Sequence, residues 1–197
     1  MRSNATRREF RAWAMVFGCI VWSVACASGP ATRENRPLEV SVETLYPLRP
    51  GAAWSYDVDS GDGQPLLATA RVLRVRDGVA EVSNGQAFLR YRVQPDGLQR
   101  LEHGGYLLKP PFVLDASWPS GPETSARITA LHQALSTAAG NFEECVVVEE
   151  RNSSSGQSVA TTYCPGVGPA RVVSQMHVRG QALRVVATLR GFATDPE

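Results

Sequence analysis

The feature that most constrains the fold is the way turn residues divide the chain after about residue 46. Glycine, proline, asparagine and aspartate interrupt it at short intervals, and the segments between them alternate apolar with polar side chains. In Ala87–Val93, for example, Leu89, Tyr91 and Val93 alternate with arginines, which is typical of a strand with one buried face. No segment has a convincing helical period. We therefore predict an all-β fold, an antiparallel meander that forms a strongly curved sheet, an open barrel or a sandwich.

The first 25 residues are predicted to be a signal peptide. Four arginines accompany an apolar run, Ala12–Ala25, that is shorter than the roughly 20 residues of a membrane-spanning helix. The run ends in Val24-Ala25-Cys26, which resembles the processing site of bacterial lipoproteins. The resemblance implies that Cys26 is lipidated, becomes the first mature residue and holds the protein on a membrane. Ala27 in the next position implies, by analogy with enteric bacteria, the outer membrane, with the domain on its periplasmic face or at the cell surface.

Two other outcomes stay open at this end of the chain. Ala25-Cys26-Ala27 also fits ordinary secretory cleavage after Ala27, and the apolar run is compatible with an uncleaved anchor. Under the lipoprotein interpretation the chain has a signal peptide over residues 1–25, a lipidated cysteine with a polar tether over 26–37, and one β-domain over 38–197.

The two cysteines of the predicted domain fall in β-branched segments joined by the polar loop Asn152–Gln157. If the chain turns at the centre of this loop, Arg151 lies opposite Ser158 and, farther along the ladder, Cys145 lies opposite Cys164. Opposed residues on antiparallel strands are about 4.5–5.5 Å apart at Cα, which a disulfide accepts. Because the domain is predicted to be exported, we favour a disulfide over two buried thiols. A metal site is not expected, since no Cys-x-x-Cys or nearby histidine completes one.

Several short motifs resemble a loosely defined group of uncharacterised bacterial exported lipoproteins. They are Tyr46-Pro-Leu-x-x-Gly51-x-x-Trp54-x-Tyr56, Ala139-Gly140-x-Phe142 followed by Cys145-Val-Val-Val148, and Tyr163-x-Pro-Gly166-Val-Gly168. The similarity covers roughly Tyr46 to Val173 and implies an envelope β-domain without an assigned activity or catalytic residues. We interpret the motif residues structurally: Trp54, Tyr56 and Phe142 as core, and Gly51, Gly140, Gly166 and Gly168 as turn residues.

The sequence contains no recognisable catalytic, metal or cofactor site. Its three histidines, His103, His132 and His177, lack metal-ligand spacing, and no Gly-x-Ser-x-Gly elbow is present. We predict that His103 is an exposed turn residue and that the other two lie on strand surfaces. The pairs Glu143-Glu144 and Glu149-Glu150 are predicted to be solvated charges, because adjacent strand residues point to opposite faces.

Charge argues against a nucleic-acid partner. The whole chain has net charge +1, and loss of the first 25 residues, with four arginines and one glutamate, leaves −2. Nucleic-acid binding instead requires a concentrated basic surface.

Two functional hypotheses follow. The first is a non-enzymatic cell-envelope lipoprotein whose curved sheet binds a lipid, a peptide or an envelope protein. An apolar concave groove would support ligand binding, whereas a fully packed interior would favour protein contact or a structural role. The second is a hydrolase with dispersed catalytic residues. It requires His132 or His177 to lie within hydrogen-bond reach of a carboxylate and of a serine or threonine.

Overall fold

The computed structural model describes residues 36–64, 66–178 and 180–194. This part of the chain consists of strands and one short helix, α1 (Val42–Leu45). The strands are β1 (Ala53–Asp59), β2 (Leu66–Arg76), β3 (Val79–Ser83), β4 (Phe88–Gln94), β5 (Gly97–Arg100), β6 (Gly105–Leu108), β7 (Ser117–Gly121), β8 (Thr124–Thr137), β9 (Gly140–Asn152), β10 (Ser158–Cys164), β11 (Gly168–Val178) and β12 (Gln181–Ala193). The all-β prediction is confirmed.

All twelve strands belong to one antiparallel sheet with the order β6-β5-β4-β3-β2-β1-β12-β11-β10-β9-β8-β7. It consists of two six-stranded meanders joined through the first and last strands, so the predicted single meander is interrupted where β1 pairs with β12. The sheet curves until its edge strands β6 and β7 approach each other. There the indole Nε1 of Trp118 donates to the Tyr106 carbonyl at 2.8 Å. The result is a nearly closed barrel, one of the three predicted forms.

The cysteine hairpin has the predicted register. Arg151 pairs with Ser158, and Val147 pairs with Thr162. In β2 the alternation of apolar and polar side chains slips at Leu73-Arg74, which predicts a bulge. The structure confirms it, because the β2–β3 register shifts around Leu73.

Two segments differ from the sequence-based expectation. Although no segment has a convincing helical period, Val42–Leu45 form helix α1, which begins after the N-cap Ser41. Residues 110–122 are rich in proline, which predicts a loop, but they contain the edge strand β7. The apolar residues 127–136 are compatible with one or two strands or a short helix, and the strand alternative is confirmed, since they form part of β8.

The core is built around aromatic residues of the N-terminal segment and β1. The Tyr46 ring lies 5.5 Å from that of Trp54, 5.9 Å from Tyr91 and 6.1 Å from Tyr163. Trp54 is only 1% exposed, and its Nε1 donates to the Val167 carbonyl at 2.6 Å. The segment that carries α1 thus fills the barrel interior and brings strands from both meanders into one apolar cluster.

The surroundings of Gly168 explain why the motif that ends at this residue requires a glycine there. Its φ is +103°, a region that L side chains rarely adopt, and a Cβ there would lie 3.1 Å from Nε1 of Trp54. The position therefore requires glycine both for its backbone and for the close approach of the indole.

Candidate functional site: the open inner face of two hairpins

The inner face of the sheet extends beyond the core along the β1–β2 and β11–β12 hairpins. Register identifies this face, because paired residues on antiparallel strands point to the same side. Val58 packs against the core and pairs with both Leu66 and Ala187, and Leu183 pairs with Met176. We call this surface the open inner face, and it comprises Val58, Leu66, Met176, Val178, Leu183 and Val185.

Exposure along this face rises steadily away from the core. On β2, Val72 is fully buried, whereas Leu66 is 52% exposed. On β12, Leu189 is fully buried, whereas Leu183 is 37% exposed. Val178, at the end of β11, is 46% exposed. The apolar residues of the inner face therefore continue along these strands beyond the part that is packed in the barrel core, and there they are exposed to solvent.

The opposite face of the same strands is polar. Asp57 alternates with Tyr56 and Val58, and its Oδ1 accepts a hydrogen bond from Nη1 of Arg190 at 3.0 Å. Leu67 pairs with Asp57 on this side and is 63% exposed. Leu66 and Leu67 are thus neighbouring, exposed leucines on opposite faces of one strand.

His132 is not on a strand surface, contrary to the prediction. It lies in a bulge of β8 with φ +52°, opposite Glu144 in β9 with φ +56°. Its Nδ1 contacts a carboxylate oxygen of Glu144, and its Nε2 donates to the Arg36 carbonyl at 2.8 Å. The side chain is 3% exposed. His132 therefore ties the segment before Leu38 to the β8–β9 hairpin.

The His132 site meets only part of the requirement for a hydrolase. The carboxylate is present, but Nε2 is occupied by a backbone carbonyl. The cavity of about 550 Å³ beside it is lined by residues without a hydroxyl or thiol: Arg36, Pro37, Leu38, Glu39, Val40, His132, Glu144 and Pro165. His177 is exposed on β11, and His103 is exposed in a turn, as predicted. Within the described residues, no histidine has the arrangement that the hydrolase hypothesis needs.

The glutamate pairs also differ from the prediction of solvated charges. Glu149 faces outward and binds Arg151, whereas Glu150 is 9% exposed and lies 3.3 Å from Nη2 of Arg100. Burial lowers the pKa of Arg100, but the neighbouring Glu150 carboxylate and two tyrosines outweigh it and raise that pKa. The pair spans the interior between β5 and β9.

Burial lowers the pKa of an arginine but raises the pKa of a tyrosine, and it does so for the tyrosines beside this pair. It raises the pKa of Tyr163 well above its usual range, and the Glu150 charge adds to the rise. The pKa of Tyr91 is also raised, mainly by burial. These residues remain neutral hydroxyls that pack in the core. No sequence pattern indicates this cluster, because strand alternation alone does not reveal which inner residues meet across a barrel.

A disulfide joins Cys145 and Cys164, with their Cα atoms 4.2 Å apart. Trp54 and Tyr56 are buried, Phe142 packs against the core, and Gly140, Gly166 and Gly168 have positive φ. Cys26 lies outside the described residues. In the described ranges, no three histidine, cysteine, aspartate or glutamate side chains are grouped so as to hold a metal. The described part also has no helix that is both long and apolar enough to cross a membrane.

Comparison with known proteins finds two solved structures of similar shape. One is a proposed lipoprotein from Parabacteroides distasonis, with 13% identity and a TM-score of 0.43 over 78% of this chain and 100% of that one. The other is a proposed exported protein with a YmcC-like fold from Bacteroides fragilis, with 11% identity and a TM-score of 0.43 over 75% and 98%. The chain matches no protein-family model, and no curated protein is significantly similar to it. Neither structural likeness assigns a function to this chain.

Proposed function

We propose that the protein is a non-enzymatic, lipid-anchored protein of the cell envelope that binds an apolar ligand on its open inner face. The ligand class is an acyl chain or an apolar peptide segment. The observation that carries the proposal is the unpartnered apolar side of the β1–β2 and β11–β12 hairpins, where Leu66, Val178 and Leu183 are 37–52% exposed. Apolar surface of this kind gains about 25 cal/mol per Å² when a ligand covers it.

The packed interior, which by the criterion above favours contact with a protein segment over an enclosed ligand site, leaves only the exposed part of the inner face for binding. Trp54, Ile128 and Leu189 are each at most 1% exposed, so the ligand lies across an open sheet surface. Such a surface suits an extended chain, which contacts several strands at once. Anchoring through Cys26 would hold the domain close to lipids and to other envelope proteins.

Leu66→Asp and Leu67→Asp test the binding face. Both leucines are exposed, but only Leu66 lies on the open inner face. We expect Leu66→Asp to weaken binding of a fluorescent fatty acid at least about tenfold, because a carboxylate would have to be desolvated against the ligand. Leu67→Asp should bind as the parent does. Equal affinity in all three proteins would contradict the proposed face, and absence of binding by the parent would rule out acyl chains.

Cys26→Ser tests the anchor. The parent should fractionate with membranes and carry a diacylglyceryl mass at its N-terminus, since the lipid is attached to the cysteine sulfur. The variant should be unprocessed or soluble. Intact mass and membrane fractionation measure both properties. Cleavage of the parent after Ala27 without lipid would show a freely secreted protein and refute the anchor, whatever the result for Leu66.

A further inference from the structure

A second cavity lies on the outer face of the sheet, behind the open inner face. It has a volume of about 500 Å³ and is formed by β1, β11, β12 and the connection between β1 and β2. We call it the arginine cavity, and its lining includes Asp57, Asp59, Gly63, Gln64, Arg171, Arg184 and Thr188. Neither the motifs nor the proposed function involves it.

Arg171 carries a buried donor without an acceptor. Its Nε is inaccessible to solvent and has no hydrogen-bond partner among the residues that the structure describes. An unsatisfied buried donor destabilises the folded state, more so when the group is charged, so native structures seldom keep one without a reason. Arg171 shares one ladder row with Thr188 and Asp57, which places its guanidinium in the cavity lining. The cavity therefore contains a cation that requires an acceptor.

Arg184 is a second cation in the same lining. In the described part of the chain, neither Arg171 nor Arg184 forms an ion pair, whereas Arg190, on the same outer face, is paired with Asp57. The remaining acid of the lining, Asp59, uses Oδ1 to accept a hydrogen bond from the Gly61 backbone amide at 2.9 Å. Both lining acids thus have protein partners, while both lining arginines lack an acid.

We propose that the arginine cavity binds an oxyanion, the carboxylate or phosphate group of a ligand. A guanidinium presents a planar fork of donors that matches either group, and a shift of the Arg171 side chain on binding would let its buried Nε donate a charge-assisted hydrogen bond to the oxyanion. Arg184 supplies the second positive charge, and Thr188 supplies a hydroxyl to the same cavity. The proposal is independent of the apolar ligand, because the two sites lie on opposite faces of the sheet.

The test is calorimetric titration of the full chain with inorganic phosphate and, separately, with acetate at constant ionic strength. We expect Arg171→Gln and Arg184→Gln each to weaken binding of the preferred ion at least about tenfold. Arg127→Gln removes an exposed arginine outside the cavity that is already paired with Asp115, so it should bind as the parent does. Stronger binding of phosphate identifies a phosphate-bearing ligand, and stronger binding of acetate identifies a carboxylate.

Asp59→Asn sharpens the test. Asparagine keeps the Oδ1 acceptor for the Gly61 amide but removes a negative charge from the lining. The affinity for the oxyanion should rise by about threefold, since less than one kcal/mol of repulsion is relieved at a solvated site. A fall in affinity for phosphate or acetate would overturn the assignment, because removing a negative charge beside a bound anion should not weaken its binding. Absence of binding of either ion by the parent, or equal affinity in both cavity-arginine variants and Arg127→Gln, would also overturn it.

Discussion

At the scale of single residues, the departures from prediction concentrate in two bulge positions. His132 and Glu144 both have positive φ, and each lies where the β8–β9 register shifts. In a regular strand His132 would point to the solvent face, opposite its buried neighbours. The bulge changes this direction, so that the imidazole is buried. Nothing in the sequence marks these bulges, since neither position is glycine. Strained non-glycine backbone persists only where surrounding contacts hold it, and here the Glu144 contact and the Arg36 carbonyl do so.

His132→Asn tests whether this contact holds the N-terminal segment to the sheet. Asparagine tolerates positive φ, so the change removes the imidazole contacts without imposing a new backbone strain. We expect the free energy of unfolding to fall by about 2 kcal/mol, because the buried imidazole loses both its contact with the Glu144 carboxylate and its hydrogen bond to the Arg36 carbonyl. His177→Asn, at an exposed strand position, should change it by less than about 0.5 kcal/mol. Similar values for both variants in urea unfolding would show that the His132 contact contributes nothing.

At the scale of elements, strands were the most predictable part of the chain. The β9–β10 register was predicted from the sequence, because turn residues and β-branched runs are local signals. Helix α1 has four residues, too few to produce a helical period. β7 has only five residues, includes Pro119, and is an edge strand, where proline is tolerated. Elements held mainly by tertiary contacts therefore escaped prediction.

The disulfide should stabilise the β9–β10 hairpin. It closes a loop with a sequence separation of 19, which in the chain-entropy model is worth about 3 kcal/mol. Cys145→Ala combined with Cys164→Ala should lower the free energy of unfolding by about that amount, and a reducing agent should have the same effect on the parent.

The double variant provides the control for that experiment, since reduction should leave its urea midpoint unchanged. Loss of stability on reduction in both proteins would show that the reducing agent acts elsewhere.

At the scale of the whole molecule, the sequence predicted a curved antiparallel sheet but not how its ends meet. β6 and β7 approach so closely that a Cβ on Gly105 would lie 2.0 Å from the backbone of Ser120. The cross-barrel pair Arg100–Glu150 also joins the two meanders. Contacts between distant positions have no local signature, and alternation does not distinguish a barrel from a sandwich. The candidate site could not be predicted from the sequence either, because exposed strand ends have the same alternation of apolar and polar residues as buried ones.

Gly105→Ala tests the importance of this closure. The added methyl would clash with backbone, which cannot yield as a flexible side chain can, so β6 and β7 must separate. We expect the free energy of unfolding to fall by about 3 kcal/mol or slightly less. Gly121→Ala is the matched control in the adjoining strand, because its Cβ would meet nothing closer than 3.6 Å. Equal urea midpoints for the two variants would show that the barrel gap adapts freely.

Because the first strand pairs with the last, one edge of β1 stays unpaired during most of the synthesis of the chain. Synthesis proceeds from the N-terminus, so β1 is complete when Asp59 has been added, but its second neighbour begins only at Gln181. Throughout that interval one edge of β1 has free backbone donors and acceptors beside Trp54 and Tyr56. An unpaired strand edge is a template for any other extended chain. A nascent or partly translocated molecule is therefore most vulnerable to aggregation at one known strand, and a chaperone that protects it has a defined place to bind.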